Sequence, residues 1–151
     1  MIRRRPRKTS RSTDRGMYFL DTNAIIFAIN RRRPMISSRV VRELAAGTRL
    51  VVPAAAMFEL EYGIAKSDRG SQSRLPLDAF LVNGFEFAPF DADDARDAGS
   101  LRANLERVGK PIGAYDLLIA AQARRRGATL VTSNTREFTR VPGLLVVDWA
   151  V

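Results

Sequence analysis

From Met17 onward, the sequence switches repeatedly between short continuous apolar runs and longer segments with helical periodicity. The runs that predict strands cover residues 18–20, 50–52, 85–88, 130–132 and 145–147. The segments that predict helices cover residues 24–29, 37–46, 54–66, 77–82, 92–107 and 115–126, with a loop predicted over 67–76. Short strands without polar alternation are typical of a sheet covered on both faces, and helices between strands provide that cover. The pattern therefore predicts an α/β fold with a mainly parallel central sheet of about five strands.

The basic charge of the chain is concentrated before this pattern begins. Residues 1–16 contain seven basic side chains and one acidic one, whereas the remaining 135 residues contain 18 basic and 15 acidic side chains. A block of like charge without apolar periodicity is usually disordered. We therefore interpret residues 1–16 as a basic, disordered tail and residues 17–151 as a single domain. A nucleic-acid-binding arm, or a misassigned start before Met17, are the alternatives for the tail.

The chain shows neither a membrane-spanning apolar run nor the apolar stretch and cleavage site of a secretory signal. A cytoplasmic protein is therefore the expectation. The sequence also contains no cysteine and no histidine. Thiolate nucleophiles, cysteine-based metal sites and the commonest general acid–base residue are thereby excluded. An enzyme with this composition must rely on carboxylates, lysines, hydroxyl groups or a hard cation.

Two polar residues follow predicted strands directly. Asp21 comes straight after the first strand, and Asn134 comes shortly after the fourth. Open parallel sheets place their functional sites beyond the carboxyl ends of the strands. Both residues are therefore candidates for a site, although an Asp between a strand and a helix is more often a simple helix N-cap.

Glu59 and Asp116 are the other candidate acids. Glu59 lies beside the helix face formed by Phe58, Tyr62 and Ala65 at positions i, i+4 and i+7, so it is predicted to point along the edge of the sheet. Asp116 opens a helix that is apolar on nearly every side, which predicts a buried central helix with its N-terminus beside the strand ends. The simpler interpretations are that Glu59 is an exposed surface residue and that Asp116 interacts favourably with the helix dipole.

Converging carboxylates repel one another, and in a partly dry cleft they need a compensating cation. Oxygen ligands alone favour Mg²⁺ or Mn²⁺, which keep bound water that can attack a phosphodiester. A protein without histidine thus has a route to phosphodiester hydrolysis.

Four segments in this order resemble the PIN-domain nucleases, and in particular the VapC-type toxins of type II toxin–antitoxin systems. The segments are YFLDTN at 18–23, FELEYG at 58–63, KPIGAYDLLIA at 110–120 and LVTSNTREF at 130–138. The resemblance covers Met17 to the C-terminus. It implies a three-layer α/β/α sandwich, Mg²⁺-dependent endoribonuclease activity with Mn²⁺ as a substitute, and RNA as substrate, with transfer RNA one plausible class. It also implies a cognate antitoxin protein as partner and a homodimer.

The resemblance also implies roles for particular residues. Asp21 and Asp116 would hold the metal, and Glu59 would complete the catalytic acids. The residues implied to support the pocket are Thr22, Asn23 and Asn134, and the candidates for RNA contact are Arg136 and Lys110.

Two positions depart from the acidic pattern of the family. Asn134 and Asn104 stand where further acids often occur, which predicts a site with one firmly bound metal. A catalytically reduced RNA- or protein-binding module is therefore the alternative hypothesis. A phosphatase or a DNA nuclease on a similar sheet is a third, weaker one.

Overall fold

A computed structural model describes residues 16–151, so the predicted tail lies outside the described residues except for Gly16. The five strands are β1 (Met17–Leu20), β2 (Arg49–Pro53), β3 (Glu86–Ala88), β4 (Thr129–Val131) and β5 (Leu145–Val147). The helices are α1 (Thr22–Asn30), α2 (Pro34–Ala45), α3 (Ala54–Lys66), α4 (Gly70–Leu81), α5 (Ala92–Arg107), α6 (Ala114–Arg125) and α7 (Thr135–Phe138). No helix within residues 16–151 has the length and apolarity needed to cross a membrane.

All strand pairs are parallel, and the strand order is β3-β2-β1-β4-β5. The prediction of a mainly parallel five-stranded sheet in an α/β fold is therefore confirmed. The chain first builds outward from β1 through β2 to β3 and then returns to place β4 on the other side of β1. The strand order thus reverses between β1 and β4, which is where open α/β sheets form a crevice at their carboxyl edge.

The centre of the sheet is apolar on both faces. Phe19 and Leu20 of β1 are fully buried, as are Leu50 and Val52 of β2 and Leu130 of β4. This burial explains why the strands appear in the sequence as continuous apolar runs rather than as alternating patterns.

A buried charge cluster fixes α5 against the end of α6. Asp94, which is fully buried, accepts hydrogen bonds from Arg125 Nε at 2.8 Å and from Arg126 Nη1 at 2.8 Å. It also accepts the backbone N–H of Asp91 at 3.0 Å, and Asp91 returns the contact to complete a capping box. The arginines hold the pKa of Asp94 well below its usual range despite the burial. This end of α6 is therefore anchored, at the opposite end of the helix from Asp116.

One local prediction was wrong, and one helix was not predicted. The segment 67–76 was predicted to be a loop because it is rich in serine, glycine and charge, but α4 already begins at Gly70 and continues through Pro76. Packing of its second half stabilises the helix, since Leu77 is buried and the Phe80 ring lies 4.6 Å from the Phe85 ring. The short helix α7 was not predicted, because four residues carry no readable periodicity.

Candidate active site

Asp21 lies at the point where the strand order reverses. It follows β1 and caps α1, since its Oδ1 accepts the backbone N–H of Ala24 at 2.8 Å, and its own N–H donates to the Val131 carbonyl at 3.1 Å. Its side chain is only 4% exposed. Burial raises the pKa of Asp21, and the charges of Glu59 and Asp148 raise it further, while hydrogen bonds from Thr132 and Ala24 oppose the shift. Asp21 is therefore both a helix cap and a carboxylate held near other acids.

Glu59 is positioned by Thr22. The hydroxyl group of Thr22, in the first turn of α1, donates to Glu59 Oε1 at 2.8 Å across 37 residues of sequence. Glu59 lies in the first half of α3 and is half-buried. The contact joins the segment after β1 to the helix after β2, so two neighbouring strand ends place their polar side chains together.

Asp116 is the third residue of α6, whose N-cap is Gly113, a residue without a capping side chain. Its pKa is raised from 3.8 to about 6, chiefly by burial and then by the charges of Glu137, Asp21 and Glu59. Each of these acids raises the pKa of Asp116 because it lies close enough for charge repulsion. Asp21, Glu59 and Asp116, which the sequence singled out separately, thus share one electrostatic neighbourhood.

Glu137 is a fourth acid at this site, and it was not predicted. Its Oε1 accepts the backbone N–H of Gly113 at 2.7 Å, and its Oε2 accepts a hydrogen bond from the Asn134 side-chain amide at 2.6 Å. Glu137 therefore fixes the N-terminus of α6 and brings a negative charge towards Asp116. The pattern Asn134-Thr135-Arg136-Glu137 has the spacing of a helix capping box, and this was the signal in the sequence that could have identified Glu137.

The ends of β1, β4 and β5 place three polar residues in a row. Leu20 pairs with Val131 and Val131 pairs with Val147, so the residues that follow, Asp21, Thr132 and Asp148, continue the same register. The Thr132 hydroxyl donates to the Asp21 carboxylate and accepts the backbone N–H of Asn134 at 2.9 Å. Thr132 thereby connects Asp21 to the segment that carries Glu137.

The other predicted site residues lie around this centre. Asn23 is the second residue of α1 and is exposed, and Asn134 is the exposed N-cap of α7. Lys110 lies in the loop before α6 and Arg136 lies on α7, and both side chains are exposed. Asn104 is exposed on α5 and none of the described hydrogen bonds links it to the acids.

The helix face that guided the interpretation of Glu59 is not a buried one. Phe58 and Tyr62 are 52% and 57% exposed, and α3 instead buries Ala55, Ala56 and Leu60. The Phe58 ring contacts the Tyr115 ring at 5.3 Å, so aromatic side chains form an exposed face beside the acidic centre.

The donor set fits a hard cation. Within residues 16–151, no three acidic side chains converge closely enough to form a complete cage for a metal ion. Mg²⁺ does not require such a cage, because it keeps several waters and takes one or two carboxylates from the protein. Asp21 and Asp116 provide two carboxylates whose pKa values are raised by burial and further by neighbouring negative charge, and a bound divalent cation would relieve the charge repulsion.

Comparisons of this chain with a family model and with known proteins point to the same family. The model of the PIN domain matches residues 18–144. Ribonuclease VapC2 of Rickettsia felis is 38% identical over 133 residues, which span 88% of this chain and 98% of that protein. The tRNA(fMet)-specific endonuclease VapC of Shigella flexneri is 37% identical over the same length, with the same coverage.

Solved structures agree with the sequence comparison. The crystal structure of VapBC2 from Rickettsia felis, bound to a DNA fragment from the promoter, contains a chain that superposes with a TM-score of 0.81 at 34% identity. That of DNA-bound VapBC from Salmonella typhimurium gives 0.80 at 34% identity. Each match covers 88% of this chain and 98% of the other.

Proposed function

Because this chain belongs to the PIN-domain family, we propose that it is an endoribonuclease that acts as the toxin of a toxin–antitoxin pair and hydrolyses RNA phosphodiesters. The observation that carries the proposal is the shared neighbourhood of Asp21, Glu59 and Asp116 at the carboxyl edge of the sheet. The pKa of Asp116 responds to the charges of both other acids. The relatives named as ribonucleases match this chain over nearly their whole length.

Asp21 and Asp116 would hold Mg²⁺, with Mn²⁺ as a substitute. The cation would lower the pKa of the attacking water and neutralise negative charge on the phosphate. Glu59, whose carboxylate Thr22 holds in place, accepts the proton of the attacking water. Thr132 and the backbone N–H of Ala24 keep the Asp21 carboxylate in a fixed orientation. Attack in line with the leaving 3′ oxygen leaves a 5′-phosphate and a 3′-hydroxyl.

Asn134 and Glu137 support the α6 side of the site. Asn134 brings no charge, but its amide orients Glu137, which in turn holds the backbone at Gly113. The fixed N-terminus of α6 then presents Asp116 towards Asp21. Asn23, which is exposed on α1, would orient a water or a substrate oxygen.

Transfer RNA is the substrate class that we favour. One relative is named as an endonuclease specific for tRNA(fMet), and the site here is open enough to leave Lys110 and Arg136 exposed beside it. Neither cation forms an ion pair with any acid in the part of the chain that the structure describes. Both are therefore available to contact phosphates.

The proposed partners are a cognate antitoxin and a second copy of the chain, in the cytoplasm. The similar solved structures are VapBC complexes, which supports the first partner. A homodimer would cover the exposed aromatic side chains Phe58, Tyr62 and Tyr115, which a lone molecule leaves in water. Light scattering of the wild type and of the Tyr62→Glu variant tests this directly: the variant should be monomeric.

The test of the nuclease is cleavage of RNA by the purified protein, with ends mapped by sequencing. The Asp21→Asn variant should fold but not cleave, and excess EDTA should stop the wild type. The Asp68→Asn variant, which removes one exposed charge outside the site, should cleave normally. Cleavage by Asp21→Asn, or by the wild type in EDTA, would refute the mechanism.

The alternative is a binding module without catalysis, which the amide side chains at Asn104 and Asn134 favour. Such a module would bind RNA or protein but would gain no thermal stability from Mg²⁺ or Mn²⁺. Stabilisation by either cation that disappears in the Asp116→Ala variant would exclude it.

A further inference from the structure

Half of the sixteen arginines within residues 16–151 form an ion pair with an acid, and four of the other eight lie between the end of α1 and the end of α2. Arg31, Arg32, Arg33 and Arg42, here called the arginine corner, take part in none of the ion pairs found within residues 16–151. All four are exposed. Residues 31–42 contain five arginines and no acid, and the next residue, Glu43, forms its ion pair with Arg39 at 2.7 Å, so the segment keeps an excess of positive charge.

Arg42 of the arginine corner lines an open groove of about 600 Å³, together with Pro34, which follows Arg33 in the chain. One wall is the side of α2 that carries Ser38, Arg39 and Arg42, and the other is formed by Asp148, Trp149 and Val151 after β5. The Arg39 guanidinium lies over the Trp149 ring, 5.1 Å from its centroid, so the two walls are in contact at this point. The groove therefore combines cationic and aromatic groups, a combination suited to a nucleic-acid strand.

Asp148 connects this groove to the active centre. It follows β5 in register with Thr132 and Asp21, and its charge reaches the Asp21 carboxylate. Asp148 therefore belongs both to the lining of the groove and to the row of polar residues beside Asp21. The arginine corner is on the α2 side of the centre, whereas Lys110 and Arg136 are on the α6 and α7 side.

Favourable interactions with the helix ends do not by themselves explain the four arginines of the corner. Cations at the end of α1 do interact favourably with its dipole. However, Arg31 caps the helix with φ of 56°, a left-handed conformation that glycine adopts more easily, and it is the one residue other than glycine with positive φ within the described range. Arg42 lies in the last turn of α2, where its charge also acts on the neighbouring Glu43.

We propose that the arginine corner and its groove bind the phosphate backbone of the RNA on one side of the scissile bond. This inference rests on the proposed nuclease function and extends it, because it assigns the surface that recognises an extended substrate. Such a surface contributes to the affinity for long RNA and takes no part in the chemical step.

The test compares the double variant Arg32→Gln/Arg42→Gln with the matched control Arg96→Gln/Arg102→Gln. The control removes the same charge from exposed positions of α5. We expect KM for a tRNA transcript to rise about tenfold in the corner variant, and the slope of log KM against log salt to fall by about 1.5, as loss of two phosphate contacts requires. The value of kcat should not change, and the control should behave as the wild type.

A substrate of three nucleotides provides a second readout, since it occupies the acids without reaching the corner. The corner variant should cleave it as well as the wild type does. Equal KM and salt slope in the corner variant and the wild type would overturn the inference, and so would equal losses in the control or a loss on the short substrate.

Binding of the same transcript in EDTA, followed by fluorescence anisotropy, separates this inference from the nuclease function. Weaker binding by the corner variant supports the inference even if the wild type fails to cleave RNA. Unchanged binding overturns it even if cleavage is normal. A corner variant that binds RNA normally but is no longer neutralised by its antitoxin would assign the corner to protein binding, which also overturns it.

Discussion

Replacing Asp116 by asparagine should make the metal-free protein more stable while abolishing its activity. The carboxyl group of Asp116 has a pKa raised from 3.8 to about 6 by burial and by three neighbouring acids. At neutral pH the folded protein must therefore hold an ionised group in an unfavourable site. Asparagine has a similar shape and carries no charge, so the variant avoids this cost.

The magnitude follows from the shift. One pKa unit corresponds to about 1.4 kcal/mol, so the shift of Asp116 sets a ceiling of about 3 kcal/mol. Because the residue is partly exposed, solvent screening reduces the expected gain to about 1–2 kcal/mol. The effect depends on pH because the folded state binds the proton of Asp116 more tightly than the unfolded state does. The free energy of unfolding of the wild type therefore falls as the pH rises from about 4 to about 6.

The assay is urea denaturation in EDTA at pH 4 and pH 7, with Asp68→Asn as the control for removal of one exposed charge. The free energy of unfolding of Asp116→Asn should exceed that of the wild type at pH 7 and match it at pH 4. Mg²⁺ should reverse the order, because a ligand at a hundredfold excess over its Kd stabilises the wild type by about 2.7 kcal/mol. The variant lacks one of the two proposed ligands and should gain little.

Two results would refute this reasoning. A variant less stable than the wild type at pH 7 in EDTA would mean that Asp116 is not strained by its acidic neighbours. Equal stabilisation of both proteins by Mg²⁺ would mean that the cation binds elsewhere.

Three further substitutions test other contacts. Thr22→Val removes the hydroxyl that holds Glu59, so kcat should fall about tenfold with little change in KM or melting temperature; a rise in KM alone would contradict this role. Glu137→Gln removes the neighbouring charge that most raises the pKa of Asp116, so the midpoint of the acidic limb of the rate–pH profile should move to lower pH, and an unmoved midpoint would argue against the contact. Asp94→Ala leaves two guanidinium groups without their buried partner, so the free energy of unfolding at pH 7 should fall by about 3 kcal/mol with unchanged kcat, whereas a loss below about 1 kcal/mol would show that the cluster is dispensable.

The sheet was predictable because burial on both faces leaves a strong mark on the sequence. The five apolar runs correspond to the five parallel strands, and Asp21 could be placed at the carboxyl edge from its position after the first run. The segment 67–76 failed because its composition favours a loop, while contacts made by Leu77 and Phe80, distant in sequence, hold it as a helix.

The acidic centre was only partly predictable. Asp21, Glu59 and Asp116 could be chosen from local patterns. Glu137 carried only the spacing of a capping box and Asp148 carried no local signal, because the proximity of both to the other acids depends on how β4 and β5 are placed. The exposed Phe58 and Tyr62 show the converse problem: a regular apolar stripe predicts a buried face only when a neighbouring element covers it.

The central position of β1 also bears on how the protein is made. Asp21 donates its backbone N–H to Val131, and β1 cannot pair with β4 until roughly 110 further residues have been synthesised. Long-range parallel pairing of this kind forms late, because the intervening chain must first be ordered. A nascent chain therefore exposes Asp21, Glu59 and Asp116 in succession without assembling them. The three acids therefore come together only after β4 has been made.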